Sequence, residues 1–323
     1  MSENKKVWTP AERAIAAFEH RIPDEVTTFE LEFQLAPELF GREFACYRFD
    51  RDAFSKMSRL EQERFIDDEA GFYAYVYGEL DYGIIPCYAP WGIESWEYHF
   101  FTKCLRDRIG NTRLLGWHGD GTFAIPDGDH MYDFAYRLFD DPEGMKADAE
   151  RMCVGAIESN HRKKEAGIDV LLLCSDYCYN SGPFMSPDMF AEYVTPYLAR
   201  IIEAGRADGM WCIKHTDGDI MPIVDQMVDC RPHALHSLDP MAGVDIAKVK
   251  KLYGDKVALC GNVNCALMQT GTDDEVRESA MYCLDNCKPG GGYIFCTSNV
   301  PFRGMPPERY RMILDIWREN RKY

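Results

Sequence analysis

The segment DVLLLCSD at residues 169–176, followed by an amphipathic stretch over 187–207 and then by GMWCIKH at 209–215, decides the fold. Two short apolar runs with polar ends flank one longer helix-like segment. That is the sequence form of a strand, a crossover helix and a second, parallel strand. The rhythm extends in both directions. Upstream lies TRLLGWH (112–118) with a helix over 145–166. Downstream come a helix over 220–229, HALHSL (233–238), a short helix over 245–252, VALCGNV (257–263), a helix over 273–286, GGYIFCTSN (291–299) and a last helix over 307–320. Residues 26–33, β-branched and aromatic, supply a seventh strand, and the eighth is expected between 44 and 88. The fold class is therefore α/β: one distorted (β/α)8 TIM-type barrel spanning 1–323, with an N-terminal helical elaboration.

That elaboration begins at Thr9-Pro10-Ala11-Glu12, which reads as an N-cap, a proline at the first helical position and an early acid, so a helix should run to about His20. Residues 50–70 are charged and helix-prone and are expected to cover one mouth of the barrel. Residues 73–101, rich in Tyr and Trp and carrying Pro86 and Pro90, are expected to form a loop-rich elaboration near that mouth. No repeat and no Pro/Ser-rich linker divides the chain.

Fifty-three acidic against 36 basic side chains give a formal charge of −17, which repels phosphate backbones and anionic lipid surfaces and argues against nucleic-acid and membrane partners. The 13 cysteines are scattered through apolar stretches without paired zinc-finger spacing, as free thiols in a reducing cytoplasm would be. The amino terminus, MSENKKVWTPAERAIAAFEH, has no apolar signal core, and no run reaches the roughly 18 apolar residues that span a bilayer. A cytoplasmic protein is expected, with a homodimer left open.

In such a barrel only side chains at the carboxyl ends of strands and in the loops after them can meet a substrate. The strands end at His118, Asp176, His215, Asp239, Asn262 and Asn299. His215-Thr216-Asp217-Gly218-Asp219 places an imidazole and two carboxylates within five residues, so His215 and Asp217 can converge on one metal or one proton. Against this, Asp217 or Asp219 would serve equally as a helix cap near Ile220. Asp176, Asp239, Asn262 and Asn264 would serve as bonds to loop amides. His118 precedes Gly119-Asp120-Gly121, a loop suited to lie over the cavity. His130 and His161 read as solvated, and His233 and His236 as structural. Cys296 is either a soft metal ligand or a buried small hydrophobe. Trp91, Trp96, Trp117, Tyr177, Tyr179 and Phe184 would suit a flat aryl group if they face the mouth, and core packing if they do not. Gly290-Gly291-Gly292 precedes its strand and so lies at the wrong face for a phosphate loop.

The ordered motifs DVLLLCSDYCYNSGPFMSPDMFAEYVTPYLARII, KHTDGDIMPIV, LDPMAGVDIAKVKKLYGDKVALCGNVN and PGGGYIFCTSNVPFRGMPPERY, with the opening AERAIAAFEHRIPDEV, resemble the uroporphyrinogen decarboxylase superfamily over nearly the whole chain. The resemblance implies either a cofactor-independent porphyrinogen decarboxylase or a zinc-dependent methyltransferase that exchanges methyl groups with a corrinoid. The decarboxylases' arginine-rich Arg-Gln-Ala-Gly-Arg segment has no counterpart, and the first strand reads Phe29-Glu30-Leu31-Glu32 instead. Their histidine after the last strand becomes Asn299. The His-x-Cys pair and late cysteine of the coenzyme M methyltransferases correspond to His215, Asp217 and Asn299. The expected activity is therefore transfer of a methyl group from a small methylated donor, a methoxylated aromatic, to the cobalt of a corrinoid protein. His215, Asp176, Asp217 and His118 would be catalytic. Zinc would be held by His215, Asp217 and a further ligand from Glu30, Glu32, Asp176, His118 or Cys296, with Cys296 included in the expected set. Tyr177, Tyr179, Asp239, Asn262, Asn299 and Trp117 would bind substrate. The alternatives are a cofactor-independent decarboxylase of a small acid or porphyrinogen-like substrate and, last, a corrinoid-binding barrel.

Overall fold

Val170–Leu173 is buried at every residue, and so is Ala234–Ser237, the burial that parallel strands acquire when helices cover the sheet. In the computed structural model, which describes residues 7–323, ten strands form. They are β1 (Thr27–Thr28), β2 (Ile84–Pro86), β3 (Leu114–His118), β4 (Val170–Leu173), β5 (Cys178–Tyr179), β6 (Gly182–Pro183), β7 (Trp211–Thr216), β8 (Ala234–Ser237), β9 (Ala258–Cys260) and β10 (Tyr293–Phe295). Eight of them make one parallel sheet in the order β1-β10-β9-β8-β7-β4-β3-β2. A parallel bridge between Thr28 and Tyr82, with Gly83 N–H donating to the Thr28 carbonyl at 2.8 Å, brings the two ends together as a barrel. β5 and β6 form a small hairpin in the loop after β4. Residues 1–6, part of the amino-terminal reading, lie outside the described residues.

The capping box of Thr9 and Glu12 starts the helix Pro10–Phe18 as its sequence indicates. The helices over 145–166, 245–252, 273–286 and 307–320 are found at Pro142–Glu165, Ile246–Tyr253, Asp273–Cys287 and Pro307–Asn320. The 187–207 segment is broken into Pro187–Tyr193 and Thr195–Ala207, because Pro196 has no amide hydrogen to continue the ladder. Three expectations are corrected. Residues 73–101 are not a loop-rich elaboration: they finish the helix Arg59–Glu79, contain the missing strand β2 and begin the helix Trp96–Ile109. Tyr73, Tyr77, Tyr82 and Tyr98 are fully buried, so the aromatic content there is core. The helix expected over 220–229 begins only at Val224. All thirteen cysteines are free, and among the described residues no helix is long and apolar enough to cross a membrane.

The third correction concerns the 26–33 strand, which pairs only at Thr27–Thr28 before the chain turns into the core, carrying Phe29 and Glu30 with it. Glu30 is 1% exposed and accepts hydrogen bonds from Thr297 N–H (3.1 Å), Thr297 Oγ1 (2.5 Å) and Tyr310 OH (3.4 Å). Burial pushes its pKa up to about 8, against the lowering effect of those bonds. The native state therefore holds a proton that the unfolded chain releases near pH 4.5, so stability falls as pH rises between those values. Glu30→Gln removes that dependence. The variant is expected to gain on the parent by about 3 kcal/mol between pH 5 and pH 8 in urea unfolding, and a parallel pH profile for the two proteins would refute the assignment.

Candidate metal centre and substrate cavity

β7 delivers His215 to the barrel mouth, and the loops after β7 and β4 bring Asp217 and Asp176 to it. Single ligand atoms of these three residues lie within 4.8 Å of one another. His215 Nε2 is 3.7 Å from Asp176 Oδ1 and 3.9 Å from Asp217 Oδ1, too far for hydrogen bonds. A tetrahedral zinc site with bonds near 2.1 Å places donor atoms about 3.4 Å apart, so one nitrogen and two carboxylate oxygens now up to 4.8 Å from one another would draw together to hold a zinc ion. Three protein ligands would leave a fourth position open, the arrangement of catalytic rather than structural zinc.

The surroundings suit a metal ligand. His215 is buried, and burial, with the nearby Lys214 ammonium and His118, lowers its pKa to about 3, so its ring is neutral at physiological pH. On the barrel's next strand, the parallel register sets His236 beside His215, with their Nδ1 atoms 2.7 Å apart. One ring must donate the shared proton. With it on His215 Nδ1, the Nε2 lone pair is directed at the carboxylates, which is how an outer histidine partner fixes a ligand's tautomer. Asp217 accepts from Ser237 Oγ (2.8 Å) and Asn299 Nδ2 (2.5 Å), bonds that hold its carboxylate toward the imidazole. Burial, with the like charges of Asp176 and Asp239, raises Asp217 to about 6. Asp176 is tied to the same loop, its Oδ1 accepting from Asp217 N–H at 3.0 Å.

Beside the triad opens a cavity of about 260 Å³, lined among others by Asp217, Asp239, Met241, Gln269, Asn299 and Phe302. Among the described residues, no basic side chain lines it. Asp239 both faces this space and bonds loop amides, accepting from Met241 N–H (2.8 Å) and Gly218 N–H (3.3 Å). The Asp219 carboxylate closes a local turn, accepting from Met221 N–H at 3.0 Å, and its amide donates to the Tyr179 carbonyl at 3.0 Å.

Several expected site residues stand elsewhere. Cys296 is fully buried among Glu30, Cys260, Cys283 and Cys265, and it does not join the triad, whose third donor is Asp176. Glu30 is occupied by Thr297 and Tyr310, and Glu32 accepts from Tyr47 OH and Gln34 Nε2. His118 is exposed at the end of β3 and stacks on Tyr88 at 4.4 Å; it is near enough to His215 to lower its pKa but is not one of the triad. Trp117, its neighbour on the opposite face of the strand, packs edge-on against Tyr98 of the helix layer. Tyr177 is buried, with its hydroxyl against Thr122 Oγ1 at 2.6 Å, and so lies behind the wall of the site. Asn262 is buried with both ends of its amide engaged, by the Leu238 carbonyl and by Cys283. Tyr179 is 41% exposed on the hairpin and packs against Phe184. Among the described residues, the ring that meets the cavity is that of Phe302.

Four further residues shape the site: His236, which the sequence reads as structural, Asp120, which it places in a loop over the cavity, and Ser237 and Lys214, to which it gives no role. Lys214 is fully buried and donates to Asp120 Oδ2 (2.8 Å), Ser175 O (2.9 Å) and Leu173 O (3.2 Å), with the Tyr177 ring 4.0 Å from its ammonium. His215 and His236 stand at equal offsets from the ends of β7 and β8, and it is the fold that makes those strands neighbours.

The comparisons with known proteins agree with this barrel. A uroporphyrinogen decarboxylase of Thioalkalivibrio sulfidiphilus is 24% identical over 233 residues, 65% of this chain and 60% of that protein. The Methylcobamide:CoM methyltransferase MtaA of Methanosarcina barkeri is 28% identical over 122 residues, 38% of this chain and 34% of that protein. The chain thus spans less than two thirds of the length of the curated relatives it matches. A solved methyltransferase structure from Methanosarcina mazei superposes with a TM-score of 0.71 at 17% identity, covering 97% of this chain and 99% of that one, and so has the same fold. The family description Uroporphyrinogen decarboxylase (URO-D) matches residues 128–320, more than half of the chain and the part that carries the triad, its flanking histidine and Asn299, and the protein belongs to that family.

Proposed function

We propose that the protein is a methyltransferase that moves a methyl group from a small methylated donor, a methoxylated aromatic, to the cobalt of a corrinoid carried by a partner protein. The observation that carries this reading is the triad of Asp176, His215 and Asp217 at the edge of an uncharged-to-acidic cavity of about 260 Å³. His215, Asp217 and Asp176 would hold zinc, which supplies Lewis acidity toward a donor oxygen. Asn299 and Ser237 orient Asp217, and His236 orients His215. Phe302 and Met241 offer apolar contact to a ring, and Asp239 and Gln269 offer polar contact to its substituents. The protein's part is placement of the methyl carbon for in-line attack, while the nucleophile comes with the partner.

The MtaA match supports methyl transfer, as does the mismatch between this cavity and an acidic substrate. A decarboxylase of a small acid needs a cationic contact for the carboxylate, and the lining offers Asp217 and Asp239 in its place. The test combines metal analysis with a reaction. Purified protein should carry about one zinc per chain. Methoxylated aromatics added with reduced corrinoid protein should shift the cobalt absorbance from the reduced to the methylated form. Metal-free protein with full demethylating activity would exclude the zinc centre, and no methyl-cobalt formation with any methylated donor would exclude the activity.

A further inference from the structure

The helix Met131–Asp140, which follows the loop after β3, has two apolar faces where a surface helix needs one. The inner face packs: Leu138 is buried, and Phe134 meets Phe123 at 5.2 Å and Phe184 at 5.8 Å. The outer face carries Tyr132, Tyr136 and Phe139 at helical spacing, and these are 74%, 66% and 76% exposed. Together they offer on the order of 400 Å² of aromatic surface, the size at which an apolar patch on a soluble protein marks an interaction site. The rim is acidic: Asp127, Asp129, Asp133, Asp140 and Asp141 are exposed, and the one arginine of the helix, Arg137, is engaged by Asp148 at 2.9 Å and Asp141 at 3.5 Å.

We infer that this face docks the corrinoid carrier protein through an apolar patch ringed by lysine and arginine, an inference that rests on the methyl-transfer reading. Two observations select this occupant. The first is charge. A second copy of this chain, meeting the same patch about a twofold axis, would bring one acidic rim against another, and an anionic lipid surface would be repelled in the same way. A basic rim is complementary. The second is position. The loop leading into the helix is bonded to the metal triad, Ile125 N–H donating to the Asp176 carbonyl at 2.8 Å, and Phe134 rests on Phe184 beyond the β5–β6 hairpin at the mouth. A carrier seated here has its cobalt beside the barrel opening, where the methyl group must be received.

The test compares the parent with the variant Tyr132→Gln, Tyr136→Gln, Phe139→Gln, which keeps helix propensity and touches no residue of the triad or cavity. The probe is the corrinoid carrier protein expressed from the same genome. Binding is measured by calorimetry, and turnover is measured separately with the carrier and with free cob(I)alamin. The expected result is at least a ten-fold loss of carrier affinity, with free cob(I)alamin turnover unchanged. Asp133→Asn with Asp140→Asn should weaken binding mainly at low salt. Equal binding by parent and variant, or no binding by the parent, overturns the inference. So does a parent dimer that becomes monomeric in the variant by sedimentation, or vesicle binding that the variant loses. Carrier binding lost in the variant while neither protein transfers methyl groups upholds the docking face and removes the methyl-transfer reading instead.

Discussion

Replacing His215 with alanine is expected to strip the metal from the purified protein and to lower methyl transfer by roughly a thousand-fold, while the barrel stays folded. His215 is the single nitrogen donor of the triad, and two carboxylates without it are a weak, exchangeable pair for zinc. The effect should be graded across the site. Asn299→Ala removes a bond to Asp217 Oδ2 but no ligand, so metal affinity should fall only about ten- to a hundred-fold. Metal content by mass spectrometry, circular dichroism and turnover on the same preparations make the comparison. A His215→Ala protein that retains stoichiometric zinc would remove the triad from consideration.

The gradient also shows which part of the site was legible in the chain. His215 and Asp217 could be found because they leave a strand within three residues of each other, and a parallel barrel exposes what lies at strand ends. Asp176 was found by the same rule, and six strands were legible as apolar runs between helical segments. What the rule cannot supply is the direction a side chain faces. Tyr177 follows Asp176 immediately yet turns behind the wall to cover Lys214, and Trp117 turns to the helix layer while His118 beside it does not. Strand β2 was hidden because Ile84-Ile85-Pro86 is three residues long and flanked by tyrosines that serve the core. Cys296 reads as a ligand from its proximity in sequence to a strand end, but it directly follows β10 and is still fully buried, where burial holds its thiol well above its ordinary pKa and unfit to be a thiolate. His236 read as structural because nothing in the sequence states which strand is the neighbour of which; the parallel register of β7 and β8 is what sets it beside His215.

Lys214 was likewise invisible, being a charged residue in a strand, and its replacement by methionine carries the second large expected effect. The side chain has no accessible surface, and its partner Asp120 is 8% exposed at the side chain. Asp120 also accepts from Gly121 N–H, Thr122 N–H and Thr122 Oγ1 through Oδ1, and from Ser175 N–H through Oδ2. Burial alone would raise the pKa of Asp120, but the Lys214 ammonium, aided by these bonds, outweighs it and keeps the carboxyl below its ordinary value. In the parent, this pair's stabilisation is therefore present at neutral pH and lost as pH falls through the depressed pKa of Asp120. Lys214→Met fills the same volume with an apolar chain but leaves a buried carboxylate without its counter-ion and strips a donor from the carbonyls of Leu173 and Ser175. Removing one member of such a pair costs about 3–5 kcal/mol. The loss should reach the metal as well, because Asp176 is held between Ser175, bound through both its amide and its carbonyl to this pair, and Tyr177, whose amide donates to Thr216 Oγ1 at 2.9 Å. Folded Lys214→Met protein should therefore bind zinc about ten- to a hundred-fold more weakly. On an Asp176→Asn background the same change should add little to the loss of affinity, since the carboxylate it positions is already gone. Urea unfolding and zinc titration of the four proteins give both quantities. A destabilisation below about 1 kcal/mol would mean that the pair is not paired in solution, and full additivity in the zinc titration would mean that Lys214 acts on the metal through something other than Asp176.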